Sequence, residues 1–136
     1  MRTASQARTH SVSRAAAALC MTMLLCVVTA SAADKAPVLV GLDAEFGLKD
    51  SFSAQAIELG LRTAIAEINA AGGVLGGRPI ELVTKDNRGI PARGLENLAE
   101  FVSMPNLVAV FGGRLSPVVL EQLPALKEAK LPYLVA

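Results

Sequence analysis

From residue 37 onward, short runs that are apolar at every position alternate with longer stretches in which apolar side chains return every third or fourth place. Pro37-Val38-Leu39-Val40-Gly41-Leu42 is of the first kind. It is too short for a helix and has no polar face, the pattern of a strand buried on both sides of a parallel sheet. A loop over 43–52 containing Gly47 follows, and then Ile57, Leu61, Ile65 and Ile68, spaced four, four and three, predict a helix with one apolar stripe. Ser51 or Ser53 is placed to cap its start, and Gly72 suits the left-handed position that stops a helix.

The pattern then repeats. A second strand is predicted over 79–85, followed by the loop Asp86-Asn87-Arg88-Gly89-Ile90. Pro91 opens a helix to about 103, with Leu95, Leu98, Ala99 and Val102 on one side and Glu96 and Glu100 on another. Met104-Pro105-Asn106 breaks it. Leu107-Val108-Ala109-Val110-Phe111 is again wholly apolar, and Gly112-Gly113-Arg114-Leu115-Ser116-Pro117 leads into a third helix. Ser116 as N-cap with Pro117 at the first helical position is a strong start signal. That helix carries Val119, Leu120, Leu123 and Leu126, and Pro124 inside it predicts a kink or a broken first turn, because proline lacks an N–H and crowds the carbonyl four residues back. Leu131-Pro132-Tyr133-Leu134-Val135-Ala136 begins a fourth strand. Strand and helix alternate throughout, so the expected fold class is α/β, a parallel doubly wound sheet, with the chain ending after its fourth strand.

In an open sheet of this kind, ligands bind beyond the carboxyl ends of the strands where the strand order reverses. For the order 2-1-3-4 that place lies between strands one and three, where the loops 43–52 and 112–116 meet. The second loop runs into a helix amino end, whose unpaired N–H groups and positive dipole end suit a carboxylate. Ser116 there reads either as a plain N-cap or as a ligand contact, and Gly112 and Gly113 as a tight turn with or without a ligand above it. Asp43 and Glu45 are a close pair of carboxylates at the same crevice, suited to a cationic group, but nothing in their spacing makes them an acid/base pair.

Composition narrows the chemistry. Arg2, Arg8 and Arg14 precede an uncharged run over 15–30, and Ala30-Ser31-Ala32 offers small residues in an A-x-A arrangement, together the pattern of a cleaved secretory signal over 1–33, cut after Ala32 or Ala33. No Arg-Arg pair is present, so the general export route is expected. Cys20 and Cys26 both fall in the apolar run, each after a leucine where lipid attachment wants a small residue. His10 also precedes the cut. The exported part therefore has no disulfide, no Ser-His or Cys-His pair and no ordinary zinc ligand set; no enzyme activity, metal or cofactor is expected. Of 13 Lys and Arg, three leave with the signal, and the ten that remain face 12 Asp and Glu, a net charge of −2 without the basic footprint of a nucleic-acid binder.

Gly72 and Gly77 have the five-residue spacing of a phosphate loop, but Arg78 and Pro79 stand where Lys and Ser or Thr belong. The run also joins a helix to a strand, the reverse of a phosphate loop. No dinucleotide glycine fingerprint follows strand one. Asp86 then reads as a loop carboxylate paired with Lys85 or Arg88 rather than a ribose ligand.

The helix end Glu67-Ile68-Asn69-Ala70-Ala71-Gly72-Gly73, the Gly76 and Arg78 approach to strand two, Asp86 closing it, Pro91-Ala92, Val110-Phe111-Gly112, Ser116 and Leu131-Pro132-Tyr133-Leu134 together resemble the opening of the periplasmic leucine/isoleucine/valine-binding type of solute-binding proteins. The resemblance runs from Val38 to the end of the chain. It implies a type I lobe, with 34–136 as the amino-terminal part of the first of two α/β lobes that close on a ligand and deliver it to an ABC permease in the inner membrane. It also implies a periplasmic location, an amino acid or small carboxylate as ligand, and a hydrogen bond from Ser116 to the ligand's α-carboxylate beside nearby main-chain N–H groups. The expected ligand-binding residues are Ser116, Gly113, Arg114, Phe46 and Asp43. The first loop departs from the family, reading Asp43-Ala44-Glu45-Phe46-Gly47-Leu48-Lys49 without the usual Pro and Thr-Gly pair, so Phe46 or Phe52 either presents an aromatic wall to a different ligand or packs under the loop. The second lobe is absent, and the expectation is a fragment or a truncated product. A sensor domain of the same fold is the alternative to a transporter component.

Overall fold

The computed structural model describes residues 35–135; the signal segment and its cleavage site lie outside the described residues. Seven elements follow in strict alternation: β1 (Val38–Ala44), α1 (Phe52–Ala70), β2 (Ile80–Asp86), α2 (Pro91–Ser103), β3 (Leu107–Gly112), α3 (Ser116–Ala129) and β4 (Tyr133–Val135). The four strands are parallel, in the order β2-β1-β3-β4. Leu42 lies between Thr84 of β2 and Phe111 of β3, and Asp43 between Lys85 and Gly112.

Successive side chains of β1 go to opposite layers, as the pleat requires. Leu42 and Ala44 face α1, where they form a core with Ala54, Ile57, Leu61, Leu82, Phe46 and Phe111. Gly41 and Asp43 face α2 and α3. A Cβ on Gly41 would stand 2.9 Å from the Phe101 ring of α2, so the close approach of that helix depends on glycine.

The αβ joint between α1 and β2 is held by several bonds. Gly73 N–H donates to Ile68 O (2.9 Å) and Gly72 N–H to Asn69 O (3.1 Å), the paired bonds of a Schellman stop, with both glycines at positive φ. The Asn69 carboxamide then bonds both ways with the backbone of Ile80, accepting from its N–H (2.8 Å) and donating to its carbonyl (2.9 Å). Arg78 donates to the carbonyls of Ala36 (2.7 Å) and Pro37 (2.9 Å), tying the starts of β1 and β2 together.

Five local expectations are corrected. Ser51 is the N-cap of α1, yet its hydroxyl caps nothing. On α2 the residues that go inward are Gly94, Leu98 and Phe101, while Leu95 and Val102 stay partly exposed beside α3, because the glycine face is the one that fits against the neighbouring helix. On α3 the buried line is Val118, Gln122 and Leu126, and Leu120 is 63% exposed. Finally Ser116 is not the N-cap: Leu115 holds extended angles (φ −86°, ψ 102°) and takes that position, which puts Ser116 at N1 and Pro117 at N2. Leu115 is fixed there by packing, since it and Leu48 both close on Gly89, where a Cβ would come within 3.1 Å of each. The helix runs unbroken through Pro124, which lies on the exposed side.

Candidate functional site

β1 and β3 are neighbours whose following segments leave to opposite layers, α1 on one and α3 on the other, so the order reverses between them at their carboxyl ends. Three loops converge there. Gly113 N–H donates to Asp43 O (2.8 Å), extending the β1–β3 pairing past the ladder. Gly47 N–H donates to Asp86 Oδ1 (3.0 Å), and Asp86 also accepts from Arg88 N–H (2.9 Å) and pairs with the Arg88 side chain at 3.5 Å. Lys85 pairs with Glu100 instead. Asp86, the last residue of β2, thus pairs with Arg88 as its sequence context predicts, though within the strand and not in the loop after it.

Asp43 lies beneath the crevice floor, 1% exposed, and its carboxylate is engaged by side chains. Asn97 of α2 donates to Oδ1 and Gln122 of α3 to Oδ2, both at 2.8 Å. The same Gln122 nitrogen donates to Gly94 O (2.7 Å), and its Oε1 accepts from the Tyr133 hydroxyl (2.6 Å). Burial pushes the Asp43 carboxyl up, against the lowering effect of Asn97, Asn87 and Gln122. Burial likewise pushes the Tyr133 hydroxyl up, with the charge of Asp43 adding to it. One network therefore joins β1, α2, α3 and β4. Gly94 and Gly112 make room for it: a Cβ on Gly94 would meet Val118 Cγ1 at 2.5 Å, and one on Gly112 would collide with the Tyr133 hydroxyl. Gln122, Asn97 and Tyr133 were not among the expected site residues. The signal for Gln122 was present, a carboxamide in the middle of an apolar line spaced four and four.

Glu45 goes a different way. It is 0% exposed, and Arg114 Nε stands 3.2 Å from its Oε1, close enough for an ion pair but without hydrogen-bond alignment, so neither carboxylate oxygen has a donor. A Cβ on Gly113 would stand 2.5 Å from Oε2, so the glycine brings the loop close over the Glu45 carboxylate, and no positive φ calls for it. The Arg114 side chain is 51% exposed. Phe46 packs against the Leu42, Ala44 and Ala54 core, whereas Phe52 is 74% exposed.

Ser116 is exposed at the first turn of α3, and its hydroxyl bonds to no group among the described residues. Val118 N–H and Val119 N–H are both taken by Leu115 O (3.0 and 3.2 Å) and Pro117 has no N–H, which leaves the Ser116 amide and hydroxyl as the open donors of this helix start. Of the five expected residues, Gly113 and Arg114 in the loop after β3 and Ser116 at the first position of α3 lie together at the crevice. Phe46 lies in the α1 core, and the Asp43 carboxylate is committed to the α2/α3 layer.

The family model described as "Periplasmic binding protein" matches residues 35–136. Solved structures share the fold. The branched-chain amino acid transporter substrate-binding protein LivJ from Streptococcus pneumoniae, in complex with isoleucine, is 27% identical with a TM-score of 0.66, over 74% of this chain and 28% of that one. An ABC transporter substrate-binding protein from Desulfitobacterium hafniense in complex with Leu is 29% identical with a TM-score of 0.63, over the same shares of 74% and 28%. A fatty acid ABC transporter substrate-binding protein from Thermomonospora curvata, at 21% identity, TM-score 0.67 and 74% and 25% coverage, is alike in fold. Among curated protein sequences none matches the chain. The chain spans about a quarter of the length of these solved relatives, 28% of the first two.

Proposed function

The chain belongs to the periplasmic binding protein family, and from that premise we propose that it is the solute-binding component of an ABC importer, capturing an amino acid of the branched-chain type or a related small carboxylate. In this reading residues 1–33 are a cleaved export signal, the mature protein works in the periplasm, and 34–136 form the amino-terminal part of the first of two lobes that deliver ligand to an inner-membrane permease. The observation that carries it is the start of α3 at the β1/β3 crevice, where an exposed serine offers an unbonded hydroxyl and the first free N–H of the helix. The family resemblance of the ligand-facing loop and the Leu and isoleucine complexes of two relatives support the ligand class.

Ligand contact is proposed for Ser116, Gly113 and Arg114, with Phe46 shaping the crevice from below and Asp43 holding the two layers in register. A thermal-shift screen against amino acids, branched aliphatic acids and aromatic acids tests the reading. Stabilisation by one carboxylate class is expected, with Ser116→Ala weakening that ligand by about tenfold, the loss of roughly one hydrogen bond to a charged group. No stabilisation by any carboxylate overturns it.

A further inference from the structure

Among the described residues, three buried side-chain oxygens have no hydrogen-bond donor: Glu45 Oε1, Glu45 Oε2 and Ser51 Oγ. All three belong to the segment leaving β1 at the carboxyl end of the sheet. A buried carboxylate without donors is costly unless a charge compensates it, and such a group in a folded protein calls for an explanation.

The surroundings of Glu45 supply one. The loop after β3 passes close over it, with Glu45 Oε2 2.5 Å from where a Cβ on Gly113 would stand. The next residue, Arg114, approaches Oε1 through Nε at 3.2 Å, with its guanidinium half outside the protein. That guanidinium donates no hydrogen bond to any other group among the described residues, so its outer nitrogens are free to donate toward the crevice. Arg114 stands two residues before Ser116, the first residue of α3.

We propose that Glu45 is a positioning residue: its buried carboxylate anchors Arg114 at the mouth of the β1/β3 crevice, and the outer guanidinium nitrogens bind the carboxylate of the ligand alongside Ser116. A guanidinium suits the task because its planar fork matches a carboxylate with two parallel bonds, and the ion pair with Glu45 holds its charge at the end of β3. Glu45 has no exposed surface and does not itself touch ligand. This inference rests on the solute-binding reading and sharpens it: the carboxylate is the group recognised at this crevice, so acids without an amino group fall within the ligand class.

Calorimetry on the full chain with L-leucine, 4-methylpentanoate and isopentylamine tests it, the second probe lacking the ammonium and the third the carboxylate. The acids are expected to bind and the amine not. Glu45→Gln, which keeps the shape and removes the charge, is expected to weaken 4-methylpentanoate by about tenfold or more, and Glu45→Asp to restore part of the loss. Because Glu45→Gln could impair folding, Arg114→Gln reads the same contact from an exposed position. Wild-type binding of the acids that Glu45→Gln and Arg114→Gln leave unchanged overturns this inference alone, as does binding of isopentylamine in their place. Failure of the wild type to bind any carboxylate overturns the solute-binding reading and this inference with it.

Discussion

Asp43 exchanges water for two carboxamide donors, Asn97 and Gln122, and the burial outweighs the bonds, so its carboxyl sits above the ordinary aspartate value of 3.8. A carboxyl raised in the folded state binds protons more readily there than in the unfolded chain, so its contribution to stability is complete below the unfolded value and is lost as pH rises through the folded one. Urea unfolding of the wild type and Asp43→Asn at a series of pH values from about 3 to 7 is expected to show the wild type gaining on the variant as pH falls. A pH-independent difference would refute the assignment. The sequence places Asp43 and Glu45 two residues apart, as a pair of carboxylates at one crevice, and there the likeness ends. Asp43 is still within β1 and is directed by the pleat into the α2/α3 layer; Glu45 follows the last strand residue, free of the pleat, and folds against Gly113. Which side chain meets which layer depends on where the strand stops, and the alternation of residue types does not mark that point.

At the scale of elements, the joint between α1 and β2 shows what a run of glycines can do without a ligand. Gly72 and Gly73 both stop the helix, but they are not equivalent. A Cβ on Gly72 would meet nothing within 4 Å, whereas one on Gly73 would collide with the Arg78 carbonyl, the group that accepts from Val74 N–H at 2.8 Å. Gly72→Ala is therefore expected to cost about 1–2 kcal/mol, the strain of a positive φ alone, and Gly73→Ala about 3–5 kcal/mol from strain and lost bonding together. Chemical denaturation of the two variants measures the difference, and equal costs would contradict the geometry. Element order and this joint were legible because each rests on local patterns: wholly apolar runs, a helix stop, a proline at a first turn; the order of the strands in the sheet is not a local property and entered the sequence reading only as a condition. The inward faces of α2 and α3 were not. Apolar spacing favoured Leu95, Val102, Leu120 and Leu123, while the packed faces are set by Gly94 and Gln122, a small residue and a polar one whose value lies in what they let the neighbouring helix reach.

Across the whole molecule the two ends of the sheet divide the work. The amino-terminal end is bound up by Asn69, Arg78 and the glycine joint, with its donors and acceptors paired to backbone. The carboxyl-terminal end holds every buried side-chain oxygen that lacks a donor among the described residues, together with the open donors of Ser116 and Arg114. Local rules are met at one end and broken at the other, and breaks of that kind gather where a protein binds. Hydrogen exchange on the full chain, with and without the carboxylate that gives the largest thermal shift, turns this asymmetry into a measurement. The loops 43–48 and 112–119 are expected to gain protection on binding, since ligand contacts and the Glu45–Arg114 pair both lie there. The joint over 72–78 is expected to exchange at the same rate in both samples, because its bonds are already made and lie at the far end of the strands. Protection appearing at 72–78 and not at 112–119 would move the site to the glycine joint and refute the crevice between β1 and β3.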